Sequence, residues 1–151
     1  MRRFRFSGRR EEGQTLVEFV LIAPIIFLLL FAIVDFGMYL NLHITVQHAV
    51  REGARYAAVE SDCNAIQLRT QGEAPGAIPT AEYENIVSVK YPNPASPAAA
   101  GDFVEVIANP TPYPLPIIGH AFGLNIGALS LRSAASARLE MAVTDAGGCG
   151  P

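Results

Sequence analysis

A long apolar run near the N-terminus dominates the pattern of hydrophobic and polar positions along the chain. Residues 16–34 read LVEFVLIAPIIFLLLFAIV, and their only charged side chain is Glu18. A helix of this length rises about 28 Å, which is close to the hydrocarbon thickness of a bilayer. The pattern therefore predicts a transmembrane helix over residues 14–35, with a mild kink at Pro24 and an exit from the membrane at Asp35.

The helical pattern continues beyond the membrane exit as two adjacent stripes. Polar positions recur at spacings of three and four residues, at Asn41, Thr45, His48, Glu52 and Arg55. The apolar positions beside them are Leu42, Val46, Ala49, Gly53 and Ala57, and Leu40, Ile44 and Val50 widen that surface. This spacing predicts an amphipathic continuation of the helix over residues 36–60, whose apolar face packs against downstream strands. Contact with another subunit is the alternative role of that face.

Three runs in the distal half alternate between polar and apolar residues with a period of two. They are Ile86–Tyr91, Phe103–Ala108 and Leu129–Met141. Such alternation is typical of half-buried strands, and turn-forming residues separate the runs. The sequence therefore predicts an α+β fold, in which the long N-terminal helix packs on a small, pilin-like antiparallel sheet within residues 85–141.

The connections between these elements are rich in Pro and Gly. Residues 61–84 are predicted as a loop region and residues 142–151 as a flexible tail. Proline at every second position from Pro110 to Pro116 favours an extended connection. An apolar patch follows within residues 117–122, and it either packs on the sheet or contacts a membrane surface or a partner.

Charge is distributed unevenly along the chain. Five of the 11 basic residues precede the apolar run, and they are Arg2, Arg3, Arg5, Arg9 and Arg10. The positive-inside rule therefore places the N-terminus in the cytoplasm and the distal domain outside. Downstream of Gly13 there are six basic and twelve acidic residues. This acidic balance argues against a nucleic-acid partner, because phosphate backbones are bound by clustered Lys and Arg.

A cleaved secretory signal peptide is the alternative to a permanent membrane span. The apolar run is longer than a usual signal-peptide core of about 7–15 residues, and no small-x-small cleavage site follows it. A core helix buried on all its faces is also disfavoured, because a domain of this size could hardly cover it. We therefore expect a single-pass protein with membrane lipid as a partner.

Residues capable of catalysis or metal binding are sparse in the sequence. His43 and His48 are five residues apart, so they do not share one helix face as a metal-binding i,i+4 pair would. Glu82 and Glu84 lie in a predicted loop and are interpreted as a solvated pair. The sequence has no Gly-rich phosphate loop, no GxSxG motif and no CxxC motif. We expect no enzyme activity, no cofactor and no metal site.

The junction between the basic leader, residues 1–13, and the apolar helix carries the strongest functional pattern. Glu18 lies in a segment predicted to insert into the membrane, where burying an unpaired charge costs free energy, so its carboxylate needs a partner. In one interpretation, Thr15 and Glu18 form a capping box at the helix start. In the other, a peptidase cuts after Gly13, and the new α-amine of Gln14 lies about 6 Å along the axis from Glu18. That carboxylate then pairs with the ammonium of a neighbouring subunit.

The same residues resemble a known family. The stretch RREEGQTLVEFVLIAP, followed by the apolar helix and then VQHAVREGARYAA, is similar to the TadE-like proteins of the tight-adherence (Flp-type, type IVb) pilus system. The resemblance covers residues 1–60 well and the remainder only as a general pattern. It implies a short leader that a prepilin peptidase removes after Gly13, with Glu18 at the fifth mature position and the aromatic Phe19 after it. The DFG sequence at Asp35 and the REGAR run at 51–55 also resemble the family.

The resemblance implies a role as well as a fold. It indicates a minor pilin or pilus-assembly component in a bacterial inner or cell membrane, with other pilin-like subunits and the peptidase as partners. The distal domain is then periplasmic or extracellular. The competing hypothesis is an uncleaved, signal-anchored envelope domain that acts as a binding or scaffold module.

Cys63 and Cys149 are the two cysteines of the chain. In the predicted topology both face the oxidising side of the membrane, where they could form a disulfide. That bond would close a loop around nearly the whole distal domain, which favours stabilisation in the chain-entropy model. Geometry cannot be read from the sequence, so the bonded and free states both stay open at this point.

Overall fold

The structure is a computed structural model that describes residues 9–92, 98–123, 127–143 and 148–150. Its longest element is the helix α1 (Arg9–Ala57), which passes through Pro24 without ending. The predicted membrane helix and its amphipathic continuation are therefore one helix. The helix α1 already begins at Arg9, so it includes the last residues of the predicted leader, residues 1–13, of which residues 1–8 lie outside the described residues. Arg and Glu are good helix formers, and a single glycine inside a helix costs only about 1 kcal/mol.

Shorter helices and strands follow α1. In chain order they are α2 (Cys63–Glu73), α3 (Tyr83–Ile86), β1 (Val87–Lys90), β2 (Phe103–Ala108), β3 (Tyr113–Pro114), α4 (Pro116–Phe122), β4 (Ala128–Leu129) and β5 (Ser133–Arg138). Strands β1, β2 and β5 form an antiparallel sheet with β2 in the centre, and β3 pairs with β4. The third predicted strand is shorter than expected, since only residues 133–138 of the run from Leu129 to Met141 lie in β5.

The helix α2 lies inside the segment predicted as a loop, residues 61–84. Asp62 caps its first turn, because the side-chain Oδ1 accepts a hydrogen bond from the backbone N–H of Asn64 (3.0 Å). Ile66 and Thr70 are buried on one face of the helix. The Gly and Pro residues that suggested a loop lie near the end of α2 and after it.

The described chain divides into two units, and α1 contributes to both of them. One unit comprises the described residues of 1–37 and 115–126, and the other comprises those of 38–114 and 127–151. In the second unit, the later half of α1 packs with α2 against the sheet, which confirms the predicted α+β fold. The core residues from α1 are Val46, Ala49, Val50, Ala54 and Ala57, and those from the strands include Val87, Val89, Val104 and Val106. Leu40 and Ile44, which the pattern placed on the apolar surface, are instead exposed.

The segment predicted as a flexible tail, residues 142–151, is held at two points. Val143 and Ala98 exchange backbone hydrogen bonds of 2.8 and 3.0 Å, and Cys149 and Val89 do the same at 3.0 and 2.8 Å. Gly150 adopts a φ of +87°, and a Cβ at this position would lie 2.5 Å from the carbonyl oxygen of Val87. A glycine is therefore required for the chain to approach β1 this closely. Residues 144–147 and 151 lie outside the described residues.

Candidate processing and assembly site

The predicted cleavage position lies near the beginning of α1. Gly13 and Gln14 are both helical and exposed. A Cβ added at Gly13 would meet no atom within 4 Å, so a side chain can be introduced there without steric conflict. The first turns of a helix open locally at low cost, because their backbone groups are only partly hydrogen-bonded within the helix. The Gly13–Gln14 peptide bond lies early in α1, between two exposed residues.

Glu18 and Phe19 follow on exposed positions of the same helix. Phe19 is 64% exposed. No ion pair or hydrogen bond of the Glu18 carboxylate is found among the described residues. The structure therefore leaves both side chains open to contacts with other molecules.

The capping-box interpretation of Thr15 and Glu18 does not fit the helix as it stands. An N-cap residue precedes the first helical turn, whereas Thr15 lies six residues after Arg9, the first residue of α1. In the uncleaved chain Glu18 is therefore an interior helical residue and not part of a helix cap.

The apolar span of α1 has no cover within the described chain. None of its most hydrophobic 18-residue window is buried, and the helix is long and apolar enough to cross a membrane. Its exposed large side chains include Leu16, Val20, Leu21, Ile25, Phe27, Leu29 and Ile33. An uncovered surface of this kind is stable only in lipid or against other apolar surfaces. The helix is thus a candidate single-pass membrane anchor.

Asp35, which the sequence placed at the membrane exit, is fully buried. Its Oδ1 accepts a hydrogen bond from the backbone N–H of Ile117 (3.2 Å), and its Oδ2 accepts one from that of Ile118 (2.8 Å). These N–H groups belong to the first turn of α4, where no helical carbonyl is available to them. Asp35 therefore caps α4 from a different helix, a role that its position in the sequence does not reveal.

The REGAR run places a glycine where two helices and a strand meet. A Cβ at Gly53 would overlap Thr70 Oγ1 on α2 and would lie 3.4 Å from Val106 Cγ1 on β2. Thr70 is held in place, because it is fully buried and its hydroxyl donates a hydrogen bond to the carbonyl of Ile66 (2.8 Å). Gly53 is thus needed for the close approach of α1 to α2.

The charged residues of the same run form a surface network with α2. Glu52 lies 3.0 Å from Arg69 and 3.5 Å from Arg55, and Arg69 lies 3.4 Å from Glu73. The hydrogen bond from Arg69 to the Glu52 carboxylate, followed by the charge of Glu73, raises the pKa of the Arg69 guanidinium above its ordinary value. These pairs are exposed, so each contributes little to stability.

Sequence reasoning missed Arg69 and Thr70 because it missed α2. A local signal was nevertheless present. Asp62 is a favoured N-cap residue, and the segment after it places Ile66 and Thr70 four residues apart, as one face of a helix requires.

The two cysteines are joined in the structure. Cys63, at the first position of α2, and Cys149, beside β1, form a disulfide with a Cα–Cα distance of 6.0 Å. The bond spans 86 residues of sequence. It therefore ties the C-terminal segment to the helix that follows α1.

Comparisons with known proteins identify one part of the chain. The family model described as TadE-like protein matches residues 13–55. No curated protein and no solved structure matches the chain. The match begins at Gly13, includes Glu18, Phe19 and the uncovered apolar span, and ends at Arg55, the last residue of the REGAR run. The resemblance drawn from the sequence is thus confirmed over this segment, and residues 13–55 are similar to TadE-like proteins.

Proposed function

We propose that this protein is a minor pilin, or pseudopilin, or an assembly component of a tight-adherence (Flp-type) pilus. The observation that carries the proposal is the TadE-like match, which starts at the predicted cleavage glycine and covers the whole uncovered span. The helix α1 inserts the protein into the membrane. A prepilin peptidase then hydrolyses the Gly13–Gln14 bond and releases the arginine-rich leader.

Cleavage changes the electrostatics of the helix start. Hydrolysis of the peptide bond leaves a carboxylate on Gly13 and a new α-amine on Gln14, which is mostly protonated near neutral pH. Glu18 lies about 6 Å further along the axis, so its charge can pair with the ammonium of a neighbouring subunit. In apolar surroundings this pairing sets the register between adjacent helices, because an unpaired charge there is costly.

The exposed apolar span contacts lipid first and other subunits later. Before assembly, lipid covers residues 16–34; after assembly, the spans of other pilin-like subunits replace part of that lipid. The arginine-rich leader favours a cytoplasmic N-terminus and a distal domain in the periplasm or outside the cell. The disulfide supports this orientation, because such bonds persist on the oxidising side of the membrane.

One observation favours the alternative, an uncleaved anchored domain that acts as a binding or scaffold module. The helix α1 runs unbroken from Arg9 through Gly13, so the described part of the leader, residues 9–13, forms one continuous helix with the span. In that case the arginines stay on the protein and Glu18 has no new ammonium to pair with.

The pairing role of Glu18 predicts an assembly defect without a processing defect. Glu18→Ala is expected to weaken association between subunits by about 1–3 kcal/mol, or roughly fivefold to 150-fold, since the residue lies near the membrane interface and its partner stays charged. The measurement is the yield of cross-linked subunits in native membranes, using cysteine pairs introduced into the span.

Val17→Ala is the matched control, because it shortens an exposed neighbour on the same turn without changing charge. Suppose that both variants are processed normally. The pairing role is contradicted if the Glu18→Ala subunits then cross-link as strongly as the Val17→Ala subunits.

A further inference from the structure

The connection between β2 and β5 carries no charged side chain before its last residue, Arg132. Between Glu105 and Arg132 the chain has no Asp, Glu, Lys or Arg, although charged residues make up 17% of the whole sequence. The short helix α4 lies within this stretch. An exposed loop of a secreted domain normally carries charges, so this composition needs an explanation.

Asp35 connects α4 to the end of the apolar span. Its carboxylate accepts hydrogen bonds from the N–H groups of Ile117 and Ile118 and is completely removed from water. Asp35 directly follows Val34, the last residue of the apolar run. The first turn of α4 is therefore held at the level where α1 leaves the hydrocarbon region.

The rest of α4 suits a boundary between water and lipid. Ile118 is buried, Ile117 is half-buried, and Ala121 is exposed. His120 donates a hydrogen bond from Nδ1 to the carbonyl of Pro116 (2.6 Å), so the polar group of this side chain is partly satisfied within the helix. The described residues of 115–126 also group with those of 1–37 as one unit. The described part of the uncharged segment within this unit, residues 115–123, thus lies next to the end of the apolar span.

We propose that α4 is a second membrane contact, which lies in the boundary between lipid headgroups and acyl chains and is fixed there by Asp35. Helices at this depth bury apolar side chains about 5–10 Å into the boundary. A segment without charged side chains avoids the cost of desolvating a charge there, and the buried Asp35 carboxylate accepts hydrogen bonds from two backbone donors. This inference rests on the membrane anchoring in the proposed function, but it does not depend on cleavage.

The absence of tryptophan from the sequence allows a direct test. Three single-tryptophan proteins are reconstituted into phosphatidylcholine vesicles: Ala121→Trp on α4, Phe27→Trp in the span, and Leu68→Trp on the exposed face of α2. Phe27 lies about 12 Å along the axis from Asp35 and reports the bilayer interior. Tryptophan emission is compared in lipids brominated near the headgroup, in lipids brominated near the chain end, and in lipids without bromine.

The expected result separates the three positions. Emission from Ala121→Trp is quenched most by bromine near the headgroup, emission from Phe27→Trp is quenched most by deep bromine, and Leu68→Trp is not quenched. Adding Asp35→Ala to the Ala121→Trp protein removes both hydrogen bonds to α4. Quenching of Ala121→Trp by bromine near the headgroup should then fall. Quenching of Phe27→Trp by deep bromine should be retained when Asp35→Ala is added to that protein.

Two outcomes would overturn the inference in distinguishable ways. If Phe27→Trp is quenched and Ala121→Trp behaves like Leu68→Trp, the protein is anchored but α4 faces water or another protein. If Phe27→Trp is not quenched either, the membrane anchoring of the proposed function fails together with the contact by α4.

Discussion

Loss of the Cys63–Cys149 disulfide is expected to lower the free energy of unfolding of the distal domain by about 4–5 kcal/mol. A cross-link over 86 residues removes a large loop-closure entropy from the unfolded chain, and the chain-entropy model gives this magnitude for such a length. The bond also holds Cys149 against β1, where it exchanges backbone hydrogen bonds with Val89. Most domains are stable by only about 5–15 kcal/mol, so this loss is a large fraction of the total.

The effect can be measured by hydrogen exchange of the protected amides in β1 and β2, in the full chain held in lipid nanodiscs. Strongly protected amides exchange through global opening, so a loss of about 4 kcal/mol accelerates them roughly a thousandfold. Cys63→Ser, Cys149→Ser and the double variant should have nearly equal effects, because each removes the same bond. A double variant about twice as destabilised as either single variant would show that the cysteines contribute through separate packing contacts instead.

Replacing Gly53 by a larger residue is expected to be the most damaging single substitution on the helix α1. Gly53→Val should cost about 3 kcal/mol, because its Cβ would overlap Thr70 Oγ1 and its methyl groups would press on Val106. Thr70 cannot move away cheaply, since it is fully buried and hydrogen-bonded to Ile66. Gly53→Ala should cost less, because it adds a single methyl group and gains helix propensity.

Gly37→Val provides the matched control on the same helix. A Cβ at Gly37 meets no atom within 4 Å, so this variant should unfold at the wild-type denaturant concentration. Thr70→Ala should partly rescue Gly53→Ala in a double-mutant cycle, because it removes the atom that the new Cβ overlaps. Equal stability of Gly53→Val and Gly37→Val would show that α1 and α2 do not approach as closely as described.

The long helix and the strands could be predicted because their signals are local and periodic. An uninterrupted apolar run and a stripe with helical spacing identified α1, and alternation identified β1, β2 and β5. Buried Val87, Val89, Val104 and Val106 lie on the faces that the alternation predicted. The helix α2 was missed because Pro75, Gly76 and Pro79 after it dominated the composition of the whole segment.

The contacts of Asp35 and Cys149 could not be predicted in the same way. Asp35 bonds to residues 82 and 83 positions away, and Cys149 pairs with β1 and α2 far along the chain. Such contacts depend on tertiary packing, which neither periodicity nor propensity encodes. Asp35 therefore looked like a simple membrane boundary, and the segment around Cys149 looked like a mobile tail because it is rich in glycine.

The mature N-terminus reports whether this chain is processed as a pilin-like subunit, as we propose. Intact mass and N-terminal sequencing of the protein from native membranes should give a chain that begins at Gln14. Gly13→Ala should retain the leader, although an alanine fits at this position without steric conflict. A wild-type protein that keeps its arginines, or one that begins well beyond Val34, would contradict the account, since the first is a permanent anchor and the second a secreted domain.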